Sequence, residues 1–316
     1  SRGLGDVYKR QFINASVSAA TGVISFGTLW AYIRSASSLI ADKFIALTGM
    51  MTALIFVLQM INFPVAAGTS GHLLGGALAV IVLGPRLGLI CLSVVVIIQS
   101  LLFADGGLSA LGINVMNMAI VTSVTAWVVV KYWIKFIGKT SSSLIIVSVL
   151  SGIVSVVFSS IAFMVQYILG GTISIPVGTV LIAMISVHFL IGLGEGVITA
   201  LIVGLLIRVR PDLIYAYDRE DKNTRAVSFY GLFIMLILLL SLITPFASSS
   251  PDGLESVAEE FGFQETDGIV LLLEDYGIST INNNFVSTFL SALLGIASIA
   301  IITAMFMKRR ESGKNS

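Results

Sequence analysis

The sequence predicts an all-α integral membrane protein with about nine transmembrane helices, and three observations carry that reading. Of the 316 residues, 56% are hydrophobic and only 11% charged, with a mean hydropathy of +1.00. A typical soluble protein carries about 25% charge, so no single water-soluble domain can be built from this chain. The second observation is a series of long charge-free runs. The third is the confinement of the basic residues to the gaps between those runs.

A bilayer core about 30 Å thick needs about 20 apolar helical residues. The runs place spans near 14–33, 44–61, 72–84, 87–104, 112–135, 144–169, 178–207, 227–245 and 284–307. The 44–84 region is too long for one span and breaks at Asn62-Phe63-Pro64 and at Gly68-Thr69-Ser70-Gly71-His72. All six prolines fall at or outside span ends, where a missing N–H costs little. The third span is short and rich in small residues (Gly71, Gly75, Gly76, Ala77, Ala79), which allow close helix approach. The first seven spans form one unit over 12–210. Residues 211–226 read as a cytoplasmic linker, 227–310 as a two-helix region, and 311–316 as a tail.

Lys and Arg concentrate on the cytoplasmic side of membrane proteins. With the C-terminus inside and the N-terminus outside, fifteen of the 18 basic residues fall in inside connections. These are Arg34 and Lys43; Arg86; Lys131, Lys135 and Lys139; Arg208, Arg210, Arg219, Lys222 and Arg225; and Lys308, Arg309, Arg310 and Lys314. Only Arg2, Lys9 and Arg10 lie on the other side. Those three, and the absence of a starting Met, mark 1–11 as a segment foreign to the rest of the chain. It lacks the apolar centre of a signal peptide.

The longest polar segment, 247–283, carries eight of the 17 acidic residues and no Lys or Arg. Pro251-Asp252-Gly253-Leu254-Glu255 opens it with turn chemistry. Leu254, Val257, Ala258 and Phe261 then recur at helical spacing, which predicts a short amphipathic helix docked on the rest of the protein.

Several function classes are excluded. A single cysteine, Cys91, rules out disulfide frameworks, zinc fingers and iron–sulfur sites. There is no G-x-S-x-G, H-E-x-x-H, P-loop or dinucleotide fingerprint, so no enzyme signature is present, and any ATP-driven work belongs to separate subunits. A net charge of +1 carries no sign of nucleic-acid binding. Ionisable residues inside spans are costly and few, so each is a functional candidate. His72 begins the third span after the Gly68-Thr69-Ser70-Gly71 turn. Asp105, Asn114 and Asn117 cluster near the same membrane face, and Gln99 lies late in the fourth span. An imidazole is the commonest transition-metal ligand, and neighbouring amides, hydroxyls or carboxylates can orient it. One histidine alone cannot hold a metal tightly, and helix capping is the competing role for His72. His188 and Glu195, seven apart on one helix face, read as structural polar contacts with each other or with neighbouring helices.

Three ordered stretches resemble the CbiM/NikM family. They are Asn62–Gly76 followed by Leu83-Gly84-Pro85, Gln99–Ala119, and His188–Thr199. The Pro251–Glu255 run resembles the PDGLE element of the small companion subunit, CbiN, so the chain looks like a fusion of both parts. The resemblance implies the substrate-capturing membrane subunit of an energy-coupling factor importer for cobalt, with nickel the alternative. It implies work with a CbiQ-like coupling subunit and CbiO-like ATPases in the plasma (inner) membrane. The metal is the substrate, and no resident cofactor is implied. In the family the metal is held by the N-terminal amine, a histidine at position two, and the histidine of the Gly-Thr-Ser-Gly-His loop. Only the last carries over, to His72. The family's Met-His-Ile-Pro-Asp-Gly start does not precede Phe12 here, so the chain as written is expected to bind Co²⁺ or Ni²⁺ far more weakly than a version carrying it. Thr69, Ser70, Gly71, Gln99, Asp105, Asn114 and Asn117 are the candidate pocket residues around His72. Two other readings compete. A haem-bearing electron carrier would use His72 and His188 as axial ligands, but they stand at different depths. A vitamin-binding component of the same transporter class is the other.

Overall fold

A computed structural model describes residues 13–36, 42–66, 68–105, 107–171, 176–217, 228–260, 273 and 276–314. The reading of 1–11 as foreign lies outside these residues. The helices are α1 (Ala15–Ala36), α2 (Asp42–Gln59), α3 (Gly76–Leu102), α4 (Gly107–Asn114), α5 (Thr122–Ile137), α6 (Ser141–Gly170), α7 (Val177–Val209), α8 (Phe229–Ile243), α9 (Gly253–Glu260) and α10 (Asn284–Lys314). Between α2 and α3 stand two short strands, β1 (Phe63–Ala66) and β2 (Thr69–Gly71). A π-helical turn, Val115–Val121, joins α4 to α5 without a break. Seven of the described helices are long and apolar enough to cross a membrane, and Phe44–Gln59 is a shorter apolar one. The protein is a multi-pass membrane protein.

The nine helical segments expected from the charge-free runs are present, but the third is too short to cross a bilayer by itself. Gly84 has φ 78° and ψ 171°, which breaks α3 into limbs 76–83 and 85–102. The break is a reversal. A Cβ on Gly88 would lie 3.0 Å from the backbone of Ala79, and one on Gly75 would lie 3.3 Å from Leu92. In a straight helix those pairs would stand more than 10 Å apart, at 1.5 Å per residue. The limbs therefore fold back on each other about Gly84. The first limb has eight residues and spans about 12 Å, less than half of the hydrocarbon core. Its last carbonyls are bonded from elsewhere. The Tyr215 N–H donates to Val82 O and the Ala216 N–H to Ile81 O, both at 3.1 Å.

Small residues set the closest helix crossing, as expected where lipid supplies no hydrophobic drive between helices. Gly152, Gly192 and Gly196 put α6 and α7 backbone to backbone, and a Cβ on Gly196 would lie 2.7 Å from Val149 O. The main core packs α2 and both limbs of α3 around Phe56 and Phe103. The outward faces of α1, α7, α8 and α10 carry exposed Val, Ile, Leu and Phe, the surface a lipid-facing helix presents.

The companion helices lie against this body. α10 packs along α2, where Gly49 faces Thr303 and Gly295 faces the Phe56 ring. α9 packs on α7 and β2. Leu254 and Val257 are buried, as the apolar stripe predicts. Phe261 and the side chain of Ala258 lie outside the described set.

Candidate functional site: a polar cavity beneath the PDGLE turn

The site begins with the β1–β2 hairpin. Phe63 pairs with Gly71, Pro64 with Ser70 and Ala66 with Thr69, and Gly68 takes φ 80° in the turn. The chain leaves the hairpin as His72-Leu73-Leu74-Gly75 and becomes helical only at Gly76. The span expected from residue 72 thus starts four residues later. Gly75 is the reason: at φ 84° it turns the chain into the helix through a region that L side chains avoid. His72 accordingly sits on irregular chain and caps no helix. Its Nδ1 lies 3.1 Å from Leu73 O, so a protonated Nδ1 donates there and leaves Nε2 as the nitrogen able to bind a metal.

The companion turn closes over this hairpin. Ser70 donates its N–H to Pro251 O at 2.7 Å and its hydroxyl to Ser250 O at 2.7 Å. Thr69 and Ser256 share a hydroxyl hydrogen bond at 2.8 Å, and the Ser248 N–H donates to Asn62 O at 2.8 Å. The PDGLE run is itself a reciprocal capping box. Asp252 Oδ1 accepts from the N–H groups of Leu254 and Glu255, and Glu255 Oε2 accepts from the Asp252 N–H. Gly253 seats this turn on α7, where an added Cβ would meet Ile191, Val187 and His188 at 2.9, 3.0 and 3.3 Å.

Beneath the turn lies a cavity of about 90 Å³. Its polar lining is His72, His188, Asn114, Asn117, Ser159, Ser160 and Asp252. A smaller cavity of about 30 Å³ touches His72 and Asp252 from the other side, with Gln59, Asn62, Asp105, Glu255 and Tyr276. Imidazole and amide groups from all three of the stretches named above converge here with hydroxyls and the carboxylate of the companion motif. Residues 9–213 match the model of CbiM, the cobalt uptake substrate-specific transmembrane region. The chain belongs to the CbiM family.

Residues 226–310 match the PDGLE domain. A putative fused nickel transport protein NikMN of Archaeoglobus fulgidus is 31% identical over 90% of this chain and 92% of its own. The fused nickel transport protein NikMN of Rhodobacter capsulatus is 27% identical over 80% of this chain and 83% of its own. The cobalt transport protein CbiM of Geobacter sulfurreducens is 28% identical over 72% and 70%. A crystal structure titled as a truncated transition metal transporter superposes with a TM-score of 0.56 at 24% identity, covering 63% of this chain and 97% of that one, which shows a shared fold. This CbiM-family protein, fused to a CbiN-like region, is a cobalt/nickel transport component and not an enzyme.

Within the CbiM-family fold, Gly71, His72, Asn114, Asn117 and His188 line the larger cavity, and Asp105 lines the smaller one. Thr69 and Ser70 turn instead to the companion segment. Gln99 is not part of either cavity. It is buried in α3, where its carbonyl accepts from the N–H groups of Phe103 and Asp105 and closes the helix end. His188 and Glu195, expected as structural polar contacts with each other or with neighbouring helices, do not bond to each other in the described structure. His188 Nδ1 lies 2.8 Å from Met184 O at the cavity wall. Glu195 is fully buried one turn-pair further on, with Oε2 accepting the Leu74 N–H at 2.7 Å.

Sequence reasoning missed Gln166, Ser159 and Tyr276. Gln166 and Asn117 exchange two amide hydrogen bonds of 2.9 Å, and the Ser159 hydroxyl donates to Asn117 O. The pair fixes Asn117 within the π-helical turn. Such turns concentrate at functional sites. A Gln inside a charge-free span was the available signal.

Among the described residues, no three His, Cys, Asp or Glu side chains stand close enough to hold a metal ion. His72 therefore needs further donors. Ile13, where the described chain begins, is buried in a cluster with Phe163, Met184 and Leu254, which also line the larger cavity.

Proposed function

We propose that this chain captures Ni²⁺ or Co²⁺ at the outer face of the membrane as the substrate-binding subunit of an energy-coupling importer. His72 Nε2 supplies one ligand, and the family's Met-His start, where it precedes Phe12, supplies the rest. The observation that carries this reading is the convergence of His72, both asparagines and the companion turn on one polar cavity. Imidazole and amide nitrogens suit late first-row divalent metals over Mg²⁺ or Ca²⁺.

Nickel is the favoured substrate. Two relatives that match 80% or more of this chain, both named as fused proteins, are named nickel transport proteins. Cobalt is the second reading, supported by the CbiM model. The basic residues place the C-terminus in the cytoplasm, which sets the His72 cavity outside. Inward release draws on ATP hydrolysis in CbiO-like subunits, passed on by a CbiQ-like subunit. The proposed division is 12–210 for binding and 227–310 for the companion region.

The test is uptake of labelled Ni²⁺ in cells expressing the chain with its partner subunits. His72→Ala is expected to abolish uptake at low metal concentration, and unchanged uptake overturns the ligand role. Competition by unlabelled Co²⁺ at equal concentration then ranks the two metals.

A further inference from the structure

Two residues after His72, the backbone of one residue, Leu74, is held at both its N–H and its carbonyl. The Leu74 N–H donates to Glu195 Oε2 at 2.7 Å, and the Leu74 carbonyl accepts from Gln59 Nε2 at 2.8 Å. Glu195 comes from α7 and Gln59 from the end of α2. Glu195 is fully buried and Gln59 is 4% exposed.

The chemistry of this grip is unusual for a merely structural contact. Gln59 Oε1 is buried with no hydrogen-bond partner. A buried amide that satisfies half of its capacity is costly, and an apolar side chain would remove that cost only by leaving the Leu74 carbonyl without its donor. The bond that the Gln59 amide donates is therefore what this side chain contributes here. That bond holds the segment carrying His72.

We propose that Gln59 and Glu195 are positioning residues for metal capture, fixing the Leu74 backbone so that the His72 imidazole is held in place in the cavity. Neither touches the metal. The grip also ties the His72 segment to two helices that meet the companion region. α2 bears α10 through Gly49–Thr303 and Phe56–Gly295, and α7 bears the Gly253 turn four to eight residues before Glu195. Movement of the companion against either helix reaches His72 through the backbone of one residue. This inference rests on His72 being a ligand.

The test uses the full chain in detergent, titrated with Co²⁺ by calorimetry and followed by the visible ligand-field bands of the bound ion. Gln59→Met and Glu195→Gln are each expected to weaken Co²⁺ binding about tenfold, the worth of one hydrogen bond. Both are expected to shift the bands of the ion that remains bound, which a purely structural lesion does not do. Gln59→Met is expected to lower the thermal midpoint by no more than a single lost hydrogen bond does, because it strands the Leu74 carbonyl while removing the unpartnered Oε1. Because both side chains hold the backbone of one residue, the double variant is expected to lose less than the product of the single losses. Affinity within twofold and unchanged bands in Gln59→Met overturn the proposal, even where Glu195→Gln fails to fold. If His72→Ala alone leaves binding unchanged, the ligand assignment fails first.

Discussion

The Tyr276 hydroxyl donates a hydrogen bond to Oδ2 of Asp105, joining residues 171 apart in the chain. Tyr276 is buried, and its ring stacks on Phe103 at 4.9 Å and meets Phe56 edge-on at 6.3 Å. The far end of the companion loop is thereby anchored to the wall of the smaller cavity. Tyr276→Phe keeps the ring and removes the donor. It is expected to lower stability by about 1–2 kcal/mol, as for a lost hydrogen bond to a carboxylate. The thermal midpoint in detergent checks this, and an unchanged midpoint means the anchor is the ring alone.

Asp252→Ala removes the acceptor for two N–H groups at the start of α9. The expected cost is about 1 kcal/mol, a typical lost N-cap. That cost falls on a short helix docked at the site, so limited proteolysis is expected to cut near α9 faster than in the parent. The membrane helices are expected to keep their resistance.

The reversal at Gly84 sets a different expectation. Gly84→Ala forces an L residue to φ 78° against the Tyr215 ring. Its cost is expected to be about 1–2 kcal/mol from the backbone alone. Gly88→Val is more severe, because the added atoms meet the backbone of Ala79 and Val80, which cannot swing aside. The variant is expected not to accumulate in membranes, read by immunoblot of the membrane fraction.

The Asn117–Gln166 exchange is read by a double-mutant cycle. Each single Ala variant strands a buried amide on the other side, whereas the double strands neither. The coupling is expected to be about 1 kcal/mol or more in stability. Coupling near zero means water satisfies the remaining amide.

The long helices were legible because a membrane span must satisfy its backbone internally and hide its side chains in lipid, so composition alone marks it. The docking of the 254–257 stripe was legible for a related reason, since its period reports a buried face. His72 was legible as a lone imidazole at a span boundary. The hairpin at 63–71 was not, because its strands are four and three residues long and Pro64 sits in one of them. The reversal at Gly84 was visible only as a short span, since its cause is a positive φ. Gln59, Gln166 and Tyr276 escaped because each acts through a partner brought close by the fold. Gln99 was named because its stretch also carries pocket residues, and the structure sets it in α3, where its carbonyl ends the helix.

The companion turn meets the His72 hairpin through a handful of hydrogen bonds between residues about 180 apart on one polypeptide. Covalent linkage raises the local concentration of one surface at the other to the millimolar range. A contact too feeble to hold two separate proteins together is then occupied most of the time, yet can still let go and re-form without either part being lost. A tethered cover of this kind gives the cavity a reversible roof.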